Sequence, residues 1–516
     1  MNEYRDLLER ALRQFPPEPG VVERVMRRRD RRRRNQRIAA GALALIIATT
    51  AIGGLVSAFR KVHESRPASG TITPQNVHDL ELSWTAKIRG HLATPVVSGS
   101  TVFAAGHDAA VGGTLYAFPT DCQTPPCAPL WTAHIKGFGD TPTVAGDIVY
   151  LASGTRTAGR MYAFPTTCGT SGAACRPLWT SPIGSPISSN DLGPVVNAGV
   201  VYIGTGATVD SPLPRMYAFP ADCQIDRGTC LPLWTGATPL SPTSWVVAGQ
   251  RLFVGTASGS LRSESFAGPR RGVLYAYPLG CVSTCRPTQE WRSLGRIWDL
   301  AAAGDYVYVG TDAGFTNAGP GLVQIQADCT SAVACAPRWH ASTTCCTRVV
   351  VSGDLVFAHD ERTAVYAFPT QCGDHGATCQ PAWTSIVANP LYFGTPVVSN
   401  GLVFIGSGAD GTVSALPVTC SQDCLPLWTA PAGDDVVGLA VANGEVFAAS
   451  NGLYVFAPRV SRTAGADSNR SSAVFYGILA AIGIGYLGVS AARRRRHSVD
   501  IPLDRTSRRG GGPDFP

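Results

Sequence analysis

Residues 115–119 read Leu-Tyr-Ala-Phe-Pro, and this apolar phrase returns along most of the chain. Four clear copies and three weaker ones follow it, at Met161–Pro165, Met216–Pro220, Leu274–Pro278, Val365–Pro369, Leu322–Gln326, Val413–Pro417 and Leu453–Ala457. Self-similarity at a regular period, carried by short β-rich phrases, is typical of propeller blades. The eight copies therefore predict an all-β fold, an eight-bladed β-propeller of four-stranded antiparallel blades.

A tryptophan accompanies each repeat. An isolated one, Trp84, precedes the first copy, and one follows each of the first seven copies: Trp131, Trp179, Trp234, Trp291, Trp339, Trp383 and Trp428. Their spacing of 44 to 57 residues repeats the blade period, and we expect these side chains to pack between neighbouring blades. Because the last copy has no tryptophan after it, the upstream strand Leu80–Ile88 is predicted to complete blade 8 and close the ring.

The formal net charge of +7 is concentrated at the two ends of the sequence. Residues 1–37 contain twelve Arg and six acidic residues, and residues 493–516 contain seven Arg and three Asp. The remaining residues are therefore slightly acidic. A propeller that binds nucleic acid needs a basic patch, so this distribution argues against nucleic-acid binding.

Two apolar segments without charges lie beside the arginine clusters. Residues 38–59 and 473–492 are 22 and 20 residues long, enough to cross a hydrocarbon core of about 30 Å as helices. Arginines precede the first and follow the second, and arginine stays on the cytoplasmic side. We expect a two-pass plasma-membrane protein with both termini cytoplasmic and an extracytoplasmic propeller. A cleaved signal peptide is the alternative for the first segment, although its length and long basic leader disfavour cleavage.

These segments predict the domain organisation. It comprises a cytoplasmic basic leader (1–37), a transmembrane helix (38–59), a linker (60–77), the propeller (78–458), a linker (459–472), a second transmembrane helix (473–492) and a disordered cytoplasmic tail (493–516). Apolar residues of the leader recur at helical spacing, so the leader could bind a cytoplasmic partner or lie on the inner leaflet of the bilayer. A solvated helix with a basic stop-transfer tail is the alternative.

Seven cysteine pairs fall between the repeated phrase and the tryptophan of their blade. They are Cys122/Cys127, Cys168/Cys175, Cys223/Cys230, Cys281/Cys285, Cys329/Cys335, Cys372/Cys379 and Cys420/Cys424. A metal site would hold the spacing within each pair constant, and here it varies. Seven disulfide-bonded hairpins in an oxidising compartment are the better interpretation. The remaining two cysteines, Cys345 and Cys346, are adjacent and could form a strained ring.

The Pro-Val-Val strands with their glycine turns, the Leu-Tyr-Ala-Phe strand and the tryptophan together resemble pyrroloquinoline-quinone (PQQ) propeller repeats over residues 78–458. The leader and first anchor are also similar to those of actinobacterial membrane proteins. The propeller family includes quinoprotein dehydrogenases and non-catalytic scaffolds. The resemblance implies the fold and leaves the activity open, and the Cys hairpins replace the family's usual Asp-Thr-Gly element. In quinoprotein alcohol dehydrogenases an adjacent-cysteine disulfide lies against the quinone, but the family's catalytic Asp and calcium-ligating Glu and Asn have no matched positions here.

Loops that join the tryptophan strand to the next blade converge on one face of a propeller, around its channel. Such a funnel is the default position for a ligand site, whereas ordinary solvated loops are the alternative. No catalytic residue and no metal ligand is assigned. The binding candidates are Arg89, His91, Lys136, Asp140, Asn190, Asp191, Trp245, Arg296, Trp298, Asp299, Cys345, Cys346, Arg348, Tyr392, Asp434 and Asp435.

Three functions are consistent with this sequence. The first is a membrane-tethered binding or scaffold module whose partner is an extracytoplasmic protein or a small ligand. The second is a membrane-anchored quinoprotein oxidoreductase that uses PQQ with calcium. The third is a sensor that couples an external ligand to the cytoplasmic leader. We prefer the first, because the fold requires no catalyst and no cofactor is assured.

Overall fold

The computed structural model describes residues 70–459, except for 89, 109–111, 123, 156, 170–172, 187–192, 207–212, 224–227, 259–271, 293, 313–320, 331–334, 344–346, 361–363, 387–393 and 409. Both predicted transmembrane segments, the leader and the tail lie outside these residues. Within the described part of the chain, no helix has the length and hydropathy of a membrane span.

The chain forms eight sheets, each with four successive antiparallel strand positions, as predicted. A short 3-10 helix (Val77–Asp79) leads into β1 (Leu80–Ala86). Blade 1 contains β2 (His91–Leu92), β3 (Val96–Ser98), β4 (Thr101–Asp108), β5 (Gly112–Pro119) and β6 (Trp131–Ile135). Blade 2 contains β7 (Phe138–Gly139), β8 (Thr143–Ala145), β9 (Ile148–Gly154), β10 (Gly159–Pro165) and β12 (Trp179–Ile183). The hairpin strand β11 (Ala173–Ala174) lies between β10 and β12 in the chain but pairs with β6 of blade 1, and the later hairpin strands likewise join the sheet of the preceding blade.

Blades 3 to 5 repeat this arrangement. Blade 3 contains β13 (Ser185–Pro186), β14 (Val195–Asn197), β15 (Val200–Gly206), β16 (Arg215–Pro220) and β17 (Trp234–Ala237). Blade 4 contains β18 (Ser241–Ala248), β19 (Arg251–Ala257), β20 (Val273–Pro278), the hairpin strand β21 (Ser283–Thr284) and β22 (Gln289–Arg292). Blade 5 contains β23 (Ile297–Ala303), β24 (Tyr306–Thr311), β25 (Leu322–Gln326) and β26 (Trp339–Ala341).

Blade 6 contains β27 (Arg348–Ser352), β28 (Leu355–His359), β29 (Ala364–Pro369), the hairpin strand β30 (Ala377–Thr378) and β31 (Trp383–Ile386). Blade 7 contains β32 (Val397–Ser399), β33 (Leu402–Gly406), β34 (Thr412–Pro417), the hairpin strand β35 (Gln422–Asp423) and β36 (Trp428–Pro431). Blade 8 contains β37 (Gly438–Ala442), β38 (Glu445–Ala449) and β39 (Leu453–Pro458), with β1 as its fourth strand.

The ring closes through β1, as the sequence predicts. This strand pairs antiparallel with β39, from Leu80 opposite Pro458 to Ala86 opposite Leu453. Trp84 is buried between Phe118 of blade 1 and Phe447 of blade 8, with both ring centroids 6.4 Å away. The outer strand of blade 8, β1, therefore joins the first blade of the ring to the last.

The first turn of each blade depends on residues that adopt positive φ. Gly146 at the turn of blade 2 has φ +58°, and nothing lies within 4 Å of the position where a Cβ would stand, so conformation rather than space requires glycine there. Asn400 and Gly401 form the corresponding turn of blade 7 with φ +48° and +82°. Asn-Gly is the preferred pair for a tight hairpin whose two central residues both have positive φ.

The tryptophans pack between blades, as predicted. Most of their indole Nε1 atoms also donate a hydrogen bond into the following blade: Trp84 to Thr120 O, Trp131 to Thr166 O, Trp291 to Cys335 O, Trp339 to Thr370 O, Trp383 to Val418 O and Trp428 to Leu80 O. Trp179 Nε1 does not make this hydrogen bond. The acceptor at the equivalent position, Ala221 O, accepts from the Tyr150 hydroxyl instead.

All seven predicted disulfides within blades are present, whereas Cys345 and Cys346 lie outside the described residues. The hairpins also have a role that their spacing did not reveal. The N–H of the second cysteine donates to the residue after the tryptophan of the preceding blade, in the pairs Cys127–Thr85, Cys175–Thr132, Cys230–Thr180, Cys285–Thr235, Cys379–His340 and Cys424–Thr384. Each of these hairpins therefore covers the outer edge of its neighbour, an edge that would otherwise be open to other strands.

Removing one of these bonds is expected to weaken the ring moderately. For the seven-residue separation of Cys168 and Cys175, loop-closure entropy predicts a loss of about 2 kcal/mol in the free energy of unfolding for Cys168→Ser/Cys175→Ser. Urea titration of both proteins measures this difference. Titration in reductant is the control, since it should lower the stability of the wild type more than that of the double variant. Identical urea midpoints without reductant would contradict the expectation.

Candidate functional site

The two faces of the ring differ in the strand ends that they carry. We call the face with the Cys hairpins the hairpin face; each first strand ends there and each fourth strand begins there. We call the opposite face the mouth face, where each first strand begins and each second strand ends. The predicted funnel residues follow the fourth strands and therefore belong to the mouth face.

Asp299, at the start of β23, is the centre of a buried polar cluster on the mouth face. Its carboxylate accepts hydrogen bonds from Ser244 Oγ (3.2 Å), Thr395 Oγ1 (3.2 Å) and the backbone N–H groups of Leu300 (2.9 Å) and Val349 (3.1 Å). These donors belong to blades 4 to 7. Four consecutive blades come within reach of one side chain only near the axis of a propeller, so Asp299 lies at the channel.

Arg348 is the cation of this cluster. It is the first residue of β27, it is 1% exposed, and its guanidinium lies 5.8 Å from the centroid of the Trp298 ring. Burial raises the pKa of Asp299 above its usual range, while the charge of Arg348 and the hydrogen bonds to the carboxylate act in the opposite direction. The structure therefore brings together three predicted candidates: Trp298, Asp299 and Arg348.

Two further buried groups flank the cluster where second strands end. His359 lies directly opposite Arg348 in the β27–β28 pair, and its neighbour Asp360 accepts hydrogen bonds from Ala364 N (2.9 Å) and Tyr366 Oη (3.2 Å). In blade 5, Arg296 Nε donates to Asp312 Oδ2 at 2.8 Å, and both side chains are buried. The mouth face of blades 5 and 6 thus holds several buried ionisable side chains.

The protonation of His359 should make stability depend on pH. Burial lowers its pKa to about 4, with the nearby Arg348 charge acting in the same direction and Asp360 opposing it. The unfolded chain protonates this histidine near pH 6.5, so acidification between pH 6.5 and 4 favours unfolding. Over this interval we expect the free energy of unfolding of the wild type to fall by about 3 kcal/mol more than that of His359→Gln. Urea titrations at pH 7, 6, 5 and 4 test this, and parallel stability curves would contradict it.

The other predicted candidates occupy different environments. Trp245 packs in the hydrophobic cluster between blades 3 and 4, where a Cβ on Gly204 would lie 2.8 Å from its ring. Asp140 is buried in blade 2, far along the ring from the cluster, while Lys136 is exposed. Asp434 and Asp435 are exposed, and their N–H groups both bond to Ser450 Oγ. The remaining candidates lie outside the described residues: Arg89, Asn190, Asp191, Cys345, Cys346, Tyr392 and the side chain of His91.

Sequence reasoning did not select several members of the cluster: Ser244, Asp312, His359, Asp360 and Thr395. One signal was available, because Asp312 and Asp360 both follow the last residue of an apolar second strand. An acidic residue at that register in two successive blades indicates a polar channel. Ser244 and Thr395 carried no such signal, since similar residues occur in many exposed loops.

The acidic side chains of this cluster do not fit the calcium ion that would accompany PQQ. Calcium needs several carboxylate or carbonyl oxygens that converge with free lone pairs. Asp299 already accepts four hydrogen bonds, and Asp312 is bound by the backbone and side chain of Arg296. Among the described residues, no three His, Cys, Asp or Glu side chains are grouped to hold a metal. The acidic groups here neutralise and orient protein donors.

Comparison with solved structures agrees with the propeller architecture. The computationally designed Ika8 protein superposes with a TM-score of 0.53 at 11% identity, over 73% of this chain and 99% of that one. The chain has a β-propeller fold. BamB from Moraxella catarrhalis gives a TM-score of 0.48 at 13% identity, over 74% of this chain and 98% of that one. A quinohemoprotein alcohol dehydrogenase from Pseudomonas putida gives 0.46 at 15% identity, over 75% and 77%.

Structural similarity at such low sequence identity shows the fold alone. No protein-family model matches the sequence, and no curated protein matches it either.

Proposed function

We propose that this protein is a membrane-tethered, extracytoplasmic β-propeller that binds or scaffolds another molecule. The observation that carries the proposal is the position of the two ends of the described chain. β1 begins at Leu80 directly opposite Pro458, where β39 ends, so the entering and leaving segments both lie at blade 8 on the hairpin face.

This arrangement suits a ring held by two tethers. The uncharged segment 38–59 precedes β1 and the uncharged segment 473–492 follows β39, each separated from the ring by a short linker. Each segment is long enough to span a bilayer. Two tethers that leave the ring from neighbouring strands are compatible with a propeller held at both ends outside the membrane.

The seven disulfides support the same compartment. Bonds of this kind persist in oxidising surroundings and are rare in a reducing cytosol. The disulfide-bonded hairpins also cover the edge of the preceding blade. The disulfides therefore support contacts between blades as well as within them. An extracytoplasmic propeller is therefore consistent with both the composition and the packing of the blades.

Labelling of intact cells that express the full chain tests the proposal. A membrane-impermeant thiol reagent should modify the propeller only after treatment with reductant. External protease should remove a peptide tag inserted between Asp434 and Asp435, which are exposed on the mouth face, and tags at residues 1 and 516 should stay protected. Modification without reductant, or cleavage of the terminal tags, would show that the topology is wrong.

The oxidoreductase alternative is tested on the same protein. We expect no quinone-dependent dye reduction when PQQ and calcium are added to the purified full chain, because the acidic groups of the described cluster are already bound by protein donors. Saturable reduction that Asp299→Asn abolishes would favour the quinoprotein over the binding module.

A further inference from the structure

The residue just before the tryptophan of each blade differs between the two sides of the ring. It is leucine in blades 7, 1, 2 and 3: Leu427, Leu130, Leu178 and Leu233. Blade 8, whose fourth strand is β1, has Leu82 two residues before its tryptophan. Blades 4, 5 and 6 have a different residue at this position: Glu290, Arg338 and Ala382. Leucine is therefore confined to five consecutive blades.

These leucines are exposed on the hairpin face, where the outer strands begin. Their exposed fractions range from 39% to 52%, and those of Leu231 and Leu425, two residues earlier in blades 3 and 7, are 72% and 77%. Most of the exposed large apolar side chains among the described residues belong to this set. We call it the apolar arc: Leu425, Leu427, Leu82, Leu130, Leu178, Leu231 and Leu233.

The opposite side of the ring is polar at the same level. In blade 4 Glu290 forms an ion pair with Arg292, and in blade 5 Arg338 forms one with Asp374. Single exposed leucines are normal on a protein surface, whereas an apolar set with polar surroundings marks an interaction site. A flat apolar boundary that meets the hairpin face at one side of the ring would contact the arc and leave blades 4 to 6 in water.

The length of the connecting segments indicates which boundary this is. Residues 70–79 lead into β1, and Ile72 and Val77 are buried in the core formed by blades 7 and 8. Ten residues separate residue 70 from the first uncharged segment, and thirteen separate Arg459 from the second. Fully extended, these connections span at most about 36 Å and about 47 Å. In the proposed tethered protein, blades 7 and 8 therefore stay close to the bilayer, and both carry leucines of the arc.

We propose that the apolar arc lies in the headgroup region of the bilayer that carries the two tethers. The ring then rests on the membrane with blades 7, 8, 1, 2 and 3, while blades 4 to 6 are raised into water. Binding of this kind scales with the apolar area that enters the interface. The sequence between the two basic termini is slightly acidic, so the contact needs no anionic lipid. It rests on the proposed function and deepens it by naming the lipid surface as a partner of the propeller.

Quenching by a labelled lipid tests the contact. The full chain is reconstituted in phosphatidylcholine vesicles that contain doxyl-labelled phosphatidylcholine, with a fluorescent amino acid in place of Leu178. The matched control carries it in place of Ala382, which is also exposed and precedes the tryptophan of blade 6, across the ring from blade 2. We expect about fivefold stronger lipid quenching at position 178, because apolar side chains in the interface lie about 5–10 Å deep. Iodide on both sides of the membrane should quench position 382 more strongly.

A charged substitution within the arc separates apolar contact from simple proximity to the membrane. Leu130→Glu, in the neighbouring blade, removes apolar area from the interface, so it should lower the lipid quenching at position 178 about twofold. Leu233→Glu, in blade 3, should act in the same way. Ile386→Glu is the control, because Ile386 is 81% exposed at the mouth-face end of β31, and it should leave the quenching unchanged. All three positions are exposed, so urea titration should show little change in stability.

Equal lipid quenching at positions 178 and 382 would overturn the proposal, as would quenching at position 178 that both glutamate variants leave unchanged. Weak quenching of position 178 by lipid and by iodide alike would also overturn it, since protein would then cover the arc. These failures are distinct from failure of the proposed function, which the thiol and protease experiments report. A chain with confirmed topology and no preferential quenching at position 178 would remain a tethered module whose ring stands free of the bilayer.

Discussion

Trp84→Ala is expected to lower the free energy of unfolding by about 3–5 kcal/mol, the cost typical of a large-to-small change at a buried aromatic residue. The ring of Trp84 is 1% exposed, contacts aromatic rings of blades 8 and 1, and donates from Nε1 to Thr120 O at 2.9 Å. The substitution removes this contact at the strand that closes the ring. Urea titration of the full chain in detergent measures the loss.

Leu82→Ala is the matched control, because Leu82 lies on the same strand and is 52% exposed. We expect a change within about 0.5 kcal/mol for this surface position. Similar losses for both variants would mean that any change in β1 disturbs closure. No loss for Trp84→Ala would mean that the ring closes without this strand, and the architecture described above would be wrong.

Asp299→Ala is expected to have a comparable effect, with a loss of about 3–5 kcal/mol, as for breaking a buried charge interaction. The substitution removes the carboxylate that faces the charge of Arg348. Ser244 Oγ, Thr395 Oγ1 and Val349 N–H lose it as an acceptor, whereas Leu300 N–H keeps its bond to Ser244 Oγ at 3.0 Å. Urea titration at pH 7 measures it. Asp434→Ala, at an exposed aspartate of the same face, should change stability little.

A double-mutant cycle tests whether Asp299 and Arg348 act together. Arg348→Met keeps much of the side-chain volume without the charge. We expect Asp299→Ala/Arg348→Met to be more stable than the sum of the two single losses predicts, by about 0.5–3 kcal/mol. Strict additivity would show that Asp299 stabilises the structure through its hydrogen bonds alone.

The regular parts of the fold were predictable because each is repeated locally. The repeated phrase, its tryptophan and the glycine turns recur in order, so blade number and strand order follow from the period alone. The closing strand was also predictable, since Trp84 stands before the first copy while the last copy has no tryptophan after it. The cysteine pairs lie within a few residues of one another, and their variable separation already favoured disulfides over metal ligation.

The candidate site was predictable only in part. Trp298, Asp299 and Arg348 were expected on the funnel, and the structure brings them together. Trp245 was expected there as well, but its side chain turns into the core between blades 3 and 4, because strand residues alternate between opposite faces. Both β18 and β23 contain a bulge near their start, between Pro242 and Ser244 and between Ile297 and Asp299, and no feature of the sequence indicates it.

The sequence by itself determined the number of blades, the closing strand and the seven disulfide pairs, because these depend on order and spacing along the chain. Only the tertiary structure decided which residues meet at the axis. Asp299 and Thr395 are 96 residues apart, and their contact exists because radial stacking brings the first strands of four blades to one channel.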